Sequence, residues 1–146
     1  MMTTHAEKAV EAFAGSCNCA QAVLSVFAEE LGLDPATARR VASTLGGGLG
    51  MTGSLCGAAA GALLVLGLRY GDPEGGDKET KERGYVAVQE FLRRFEARCG
   101  ARDCRDLTGH NLLDPQDREL AREEGIFRDR CPLFVRAACE ILDEML

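Results

Sequence analysis

Apolar residues recur at helical spacing along most of the chain, and no stretch alternates as a half-buried strand does. Ala6, Ala9, Val10 and Phe13 mark one face of a first helix that Gly15 ends. Asn18 is placed to cap a second helix, with Gln21 three residues on as its capping-box partner. That helix shows Val23, Leu24, Phe27 and Leu31 on one face and closes at Gly32. Asp34-Pro35 opens a third, a cap followed by proline in the first turn, with Ala38, Val41, Ala42 and Leu45 facing inward. A long helix is predicted over Lys78–Cys99, its face formed by Tyr85, Val88, Phe91, Leu92 and Phe95. Residues 101–130 read as polar and irregular, with a short helical piece around Pro115–Glu124. A last helix starts at Cys131-Pro132 and carries Phe134, Ala137, Ala138, Ile141, Leu142 and Met145 inward. The expectation is one all-α domain over residues 1–146, a bundle of five to six helices.

The chain is organised around Leu45–Leu68, where a Gly-rich loop (Gly46, Gly47, Gly48, Gly50, Gly53) runs into an apolar helix. Thr52 and Ser54 are good N-cap residues, which predicts Cys56 in the first turn. Unpaired N–H groups and the helix dipole would lower the pKa of a thiol there. Gly57 and Gly61 lie one turn apart inside the helix, where each glycine costs about 1 kcal/mol relative to alanine. They are expected to face the second or the last helix at close range.

Composition narrows the function. The net charge of −6 argues against nucleic acid and anionic membrane as partners. The apolar run Leu55–Leu68 is shorter than the roughly 20 residues that span a bilayer, and Met1–Ala6 is polar rather than signal-like. A soluble, cytoplasmic protein is expected. Seven cysteines then stand out, since a reducing cytosol disfavours permanent disulfides and points to catalytic or metal-binding thiols. Simple up-and-down helices bring Cys17, Cys19, Cys56, Cys99, Cys104 and Cys131 to one end of the bundle. Cys139 lies down the last helix, most simply as a small buried hydrophobe.

Asn18-Cys19-Ala20-Gln21-Ala22-Val23, the Gly-rich loop, Cys56-Gly57-Ala58-x-x-Gly61-Ala62, Cys104 with Leu107 and Gly109, and Cys131 with Ala137 together form a pattern. It resembles the redox-active family named for its cysteines, C_GCAxxG_C_C, and covers nearly the whole chain. By that resemblance the family cysteines fall on Cys19, Cys56, Cys104 and Cys131, leaving Cys17, Cys99 and Cys139 outside. The resemblance implies redox activity and association with a transporter system, and a related domain in split-Soret cytochromes implies an iron–sulfur site. No C-x-x-C-H is present, so c-type haem is not expected.

Two chemistries are open for Cys19, Cys56, Cys104 and Cys131. They could serve as catalytic thiols of a thiol-dependent oxidoreductase, exchanging with a small thiol, an oxidant or a redox partner protein. Alternatively they could ligate an iron–sulfur cluster or zinc. A helical interaction protein with incidental thiols is the third reading, and a homodimer is left open. Gly48-x-Gly50-x-x-Gly53 matches a dinucleotide fingerprint only formally, because a helix rather than a strand precedes it. The cysteines show no paired C-x-x-C zinc spacing. His110 could act as a ligand or proton shuttle, although a loop histidine is more often simply solvated.

Overall fold

The computed structural model describes residues 4–146. Among the described residues eight α-helices follow one another: α1 (His5–Ala14), α2 (Cys19–Ala28), α3 (Pro35–Ala42), α4 (Gly57–Tyr70), α5 (Lys78–Cys99), α6 (Cys104–Thr108), α7 (Pro115–Glu123) and α8 (Cys131–Met145). Among the described residues no helix is long and apolar enough to cross a membrane. The all-α expectation holds, but the helix number exceeds the five to six expected. The excess lies in residues 101–130: the helical piece expected around Pro115–Glu124 forms as α7, and α6 is too short to show an apolar face of its own.

The capping chemistry of α2 and α3 acts as the sequence suggests. Asn18 Oδ1 accepts from Gln21 N at 2.8 Å while Gln21 Oε1 accepts from Asn18 N at 2.9 Å, a reciprocal box. Asp34 and Asp114 cap α3 and α7, each with proline in the first turn. Gly32 and Gly100 end their elements in the left-handed conformation.

The main core lies between α2, α4, α5 and α8, with α1 packed on α2 and α8 and with α3 on α2. Phe27, Phe91, Phe95, Leu24, Leu66 and Leu142 are its largest buried side chains. Burying each contributes about 1.5–3 kcal/mol. The α2–α4 contact is close because of glycine. A methyl group on Gly61 would lie 2.7 Å from Ala20 O, and one on Gly57 would overlap Cys19 Sγ. The neighbour of the two glycines is therefore the second helix.

A second, smaller core joins Cys104, Leu112 and Ala121, with Met51, Ile126 and Phe127 against it. Residues 104–130 thus form a cap with its own apolar centre, seated beside the bundle. Sequence patterning treats this stretch as irregular because its few apolar residues are spread over a short helix, a turn and a loop.

Candidate functional site

Cys19, Cys104 and Cys131 are each the first residue of a helix, and Cys56 occupies the N-cap position of α4. Each is placed by a different local device. At Cys19, the preceding Asn18 caps α2 and also donates from Nδ2 to Ser43 O at 3.0 Å, fastening α2 to the end of α3. Gln21 Nε2 adds a bond to Arg39 O at 2.9 Å.

At Cys56 the chain pairs with the segment before α6. Cys56 N–H donates to Arg102 O at 2.8 Å and Cys104 N–H donates to Ser54 O at 2.7 Å, around an antiparallel bridge between Leu55 and Asp103. This two-residue ladder brings Cys56 and Cys104 together across 48 positions of sequence. Thr52 and Ser54 do not cap α4, contrary to the sequence expectation. Thr52 instead donates back to Gly48 O at 2.7 Å, inside the loop.

The loop itself is a left-handed turn. Gly47, Gly48, Leu49, Gly50 and Met51 all have φ between 66° and 74°. An L-residue there costs roughly 1–2 kcal/mol, which glycine avoids but Leu49 and Met51 do not. The turn brings the loop against the cap: a methyl on Gly48 would lie 2.6 Å from Cys104 Cβ. At Cys131, a wide turn over Ile126–Arg130 feeds α8, and Pro132 occupies its first turn.

These devices bring Cys19, Cys56, Cys104 and Cys131 onto one cavity of about 320 Å³, between the bundle and the cap. Its remaining wall is mainly apolar, including Phe13, Met51, Leu107, Phe127 and Phe134, and Arg122 is its charged lining residue. Those apolar residues were not singled out from sequence as site residues, since nothing separates them from ordinary core positions. Cys17 and Cys99 do not line the cavity; both pack half-buried at the edge of the main core. Of the six cysteines expected at one end, four line the cavity. Cys139 is fully buried on α8 among core side chains, as a small hydrophobe would be.

The electrostatics reverse the expected thiol activation. Burial pushes the Cys19 thiol up, against backbone amides of Gly47, Ala20 and Ala58 that partly offset it. Cys56 is also raised, first by burial and then by the neighbouring Cys19. Cys104 is pushed up to about 11 by burial and by Cys19, against a hydrogen bond from Thr108. Cys131 is pushed up to about 12 by burial, Cys19 and Cys104. Helix N-termini do favour thiolates, but removal from water in an apolar cavity outweighs them.

His110 is not solvated. It is buried, with Nδ1 2.7 Å from Asp117 Oδ1 and Nε2 2.8 Å from Glu124 Oε2. Both ring nitrogens face carboxylates, so the ring binds best as the imidazolium. Asp117, with Glu124 and against some desolvation, raises its pKa. It lies outside the cavity lining and staples the cap, joining the loop after α6 to both ends of α7.

Four thiols are the donor set of iron–sulfur clusters and of structural zinc. Among the described residues no three Cys, His, Asp or Glu side chains are placed to hold a single metal ion together. The sulfurs instead border a cavity, and backbone amides lie against the Cys19 and Cys56 thiols, where they favour the thiolate. In residue type alone the four thiols match the donor set of a thiolate-held cluster.

No curated protein and no solved structure matches the chain. A family model described as "Putative redox-active protein (C_GCAxxG_C_C)" matches residues 17–145, which include all four cavity cysteines. The chain belongs to this C_GCAxxG_C_C family of redox-active proteins.

Proposed function

We propose that the protein is an electron-transfer protein whose working centre is the cavity bordered by Cys19, Cys56, Cys104 and Cys131, the four thiolates holding a metal–sulfur cofactor. The observation that carries this reading is that four cysteines from four separate helix starts meet on one apolar cavity. Raised thiol pKa values argue against a free thiolate nucleophile at neutral pH. A bound metal reverses that logic, because a coordinating thiol is deprotonated outright. Amides of Ala20, Gly47, Ala58 and Ala59 then support the anionic sulfurs, while the phenylalanine and leucine walls exclude water. Burial and amide contacts of this kind tune reduction potential. An iron–sulfur cluster held there would supply one-electron transfer. The partner would be a redox protein or a small thiol or oxidant, in a reducing compartment such as the cytoplasm, where the ligands stay reduced.

A dithiol couple between Cys19 and Cys56 is the second reading, favoured by Cys19 Sγ lying against Gly57, next to Cys56. Forming that disulfide would pass two electrons and two protons to an oxidant. Anaerobic purification followed by visible spectroscopy and iron, zinc and acid-labile sulfide analysis separates the two. Coloured protein with iron and sulfide supports the cluster. Colourless, metal-free protein that forms a Cys19–Cys56 disulfide on oxidation refutes the cluster in favour of the couple.

A further inference from the structure

A second hollow shares a wall with the thiol cavity. It is a surface groove of about 470 Å³ lined by Val10, Phe13, Ala14, Phe127, Arg128 and Pro132. Phe13 and Phe127 line both spaces. Cys131 borders the cavity while the next residue, Pro132, borders the groove. Phe13 and Phe127, both half-buried, stand between the groove and the cavity, in which Cys131 is half-buried and Cys56 and Cys104 are buried.

The wall is also a seam. Phe13 packs against the main core and Phe127 against the small core of the cap. Side chains belonging to different cores can part without either core being broken. Phe127 lies within the wide turn Ile126–Arg130, where Cys131 N–H reaches back five residues to Ile126 O. Such turns occur frequently at functional sites. The groove is apolar except for Arg128, whose Nε and Nη2 each lie 3.1 Å from an Asp129 carboxylate oxygen. That pairing leaves little to attract a charged visitor.

We infer that Phe13 and Phe127 gate the four-cysteine cavity and admit small uncharged molecules from the groove to Cys131. The inference rests on the proposed function only in taking the cavity as the working centre. It is tested on the full chain, reduced and treated with a chelator, by timed labelling with neutral N-ethylmaleimide and with a charged methanethiosulfonate reagent. Peptide mapping identifies each labelled cysteine. Among the four, Cys131 is labelled first, and faster by the neutral reagent. Phe127→Ala speeds its labelling several-fold, Phe127→Trp slows it, and Tyr85→Ala, at an exposed position outside both hollows, leaves it unchanged. Labelling of the fully buried Cys139 reports unfolding; if it accompanies Phe127→Ala, the Phe127→Trp arm decides. Cys19, Cys56 or Cys104 labelled ahead of Cys131, or a rate indifferent to Phe127→Trp, overturns the gate. Neither result bears on metal content, and metal-free protein would leave the gate standing, so the two claims fail separately.

Discussion

Gly61→Ala isolates the contact that fixes Cys19 relative to Cys56. In most helix interiors this change stabilises, by about 1 kcal/mol. Here the new methyl would lie 2.7 Å from Ala20 O and 3.1 Å from Ala20 Cα. Both are backbone atoms of α2 and cannot rotate aside, so α2 must move away from α4. Overpacking of this kind costs about 1–3 kcal/mol. Gly67, on the same helix, supplies the comparison, since a methyl there meets nothing within 4 Å. Helix propensity acts equally in both variants and cancels in their difference. Gly61→Ala should therefore be less stable than Gly67→Ala by about 1–3 kcal/mol. Urea unfolding measures this as a lower midpoint at unchanged slope. In a protein of this size each 1 kcal/mol corresponds to about 2–4 °C in Tm. Ala20 follows Cys19 directly, so Gly61→Ala should also change metal content or thiol reactivity, which Gly67→Ala should not. Equal stability of the two variants, with unchanged thiols, would refute the close-packing argument.

Three other outcomes follow from the same geometry. Alkylation rates against pH should show Cys104 and Cys131 in the metal-free chain titrating well above the ordinary thiol value of about 8.5, near 11 and 12; a cavity thiol titrating below 8.5 would contradict the burial argument. Because the folded pKa of His110 is raised, its contribution to stability is complete below about pH 6.5 and fades as pH rises through the folded value, whereas that of Asp117, whose pKa is lowered, is complete above about pH 3.9 and fades as pH falls. Hydrogen-exchange protection in residues 104–130, taken relative to the intrinsic rate at each pH, should thus be greatest between those limits, and His110→Gln should remove its fall on the alkaline side. Asn18→Ala should cost about 1 kcal/mol as a lost cap, read as a lower urea midpoint, and should loosen Cys19 as well.

The bundle was legible because its helices carry apolar stripes, and because Asn18, Asp34 and Gly100 mark their ends by simple chemistry. The identity of the cysteine group came through the CGAxxG context, while Gly57 and Gly61 announced a close helix contact by their cost. The cap around Cys104, Leu112 and Ala121 was not legible, since three apolar residues far apart in sequence carry no periodicity. Nor was the ladder between Cys56 and Arg102, which depends on a long-range pairing two residues wide. The reversal of thiol pKa had the same origin. Helix position is a local signal, but burial depends on Phe13, Phe127 and Phe134 arriving from distant segments. His110 was misplaced in solvent because its two carboxylate partners are seven and fourteen residues away.

The central claim is that Cys19, Cys56, Cys104 and Cys131 act as one centre from which Cys17, Cys99 and Cys139 are excluded. Its most direct test is the metal and acid-labile sulfide content of seven single Cys→Ser variants, purified anaerobically beside the parent chain. Substitution at position 19, 56, 104 or 131 should lower both contents sharply and together, while substitution at 17, 99 or 139 should leave them at the parent level. Loss that follows Cys17 or Cys99 as strongly as Cys19, or a parent chain that holds neither metal nor sulfide, would contradict the account.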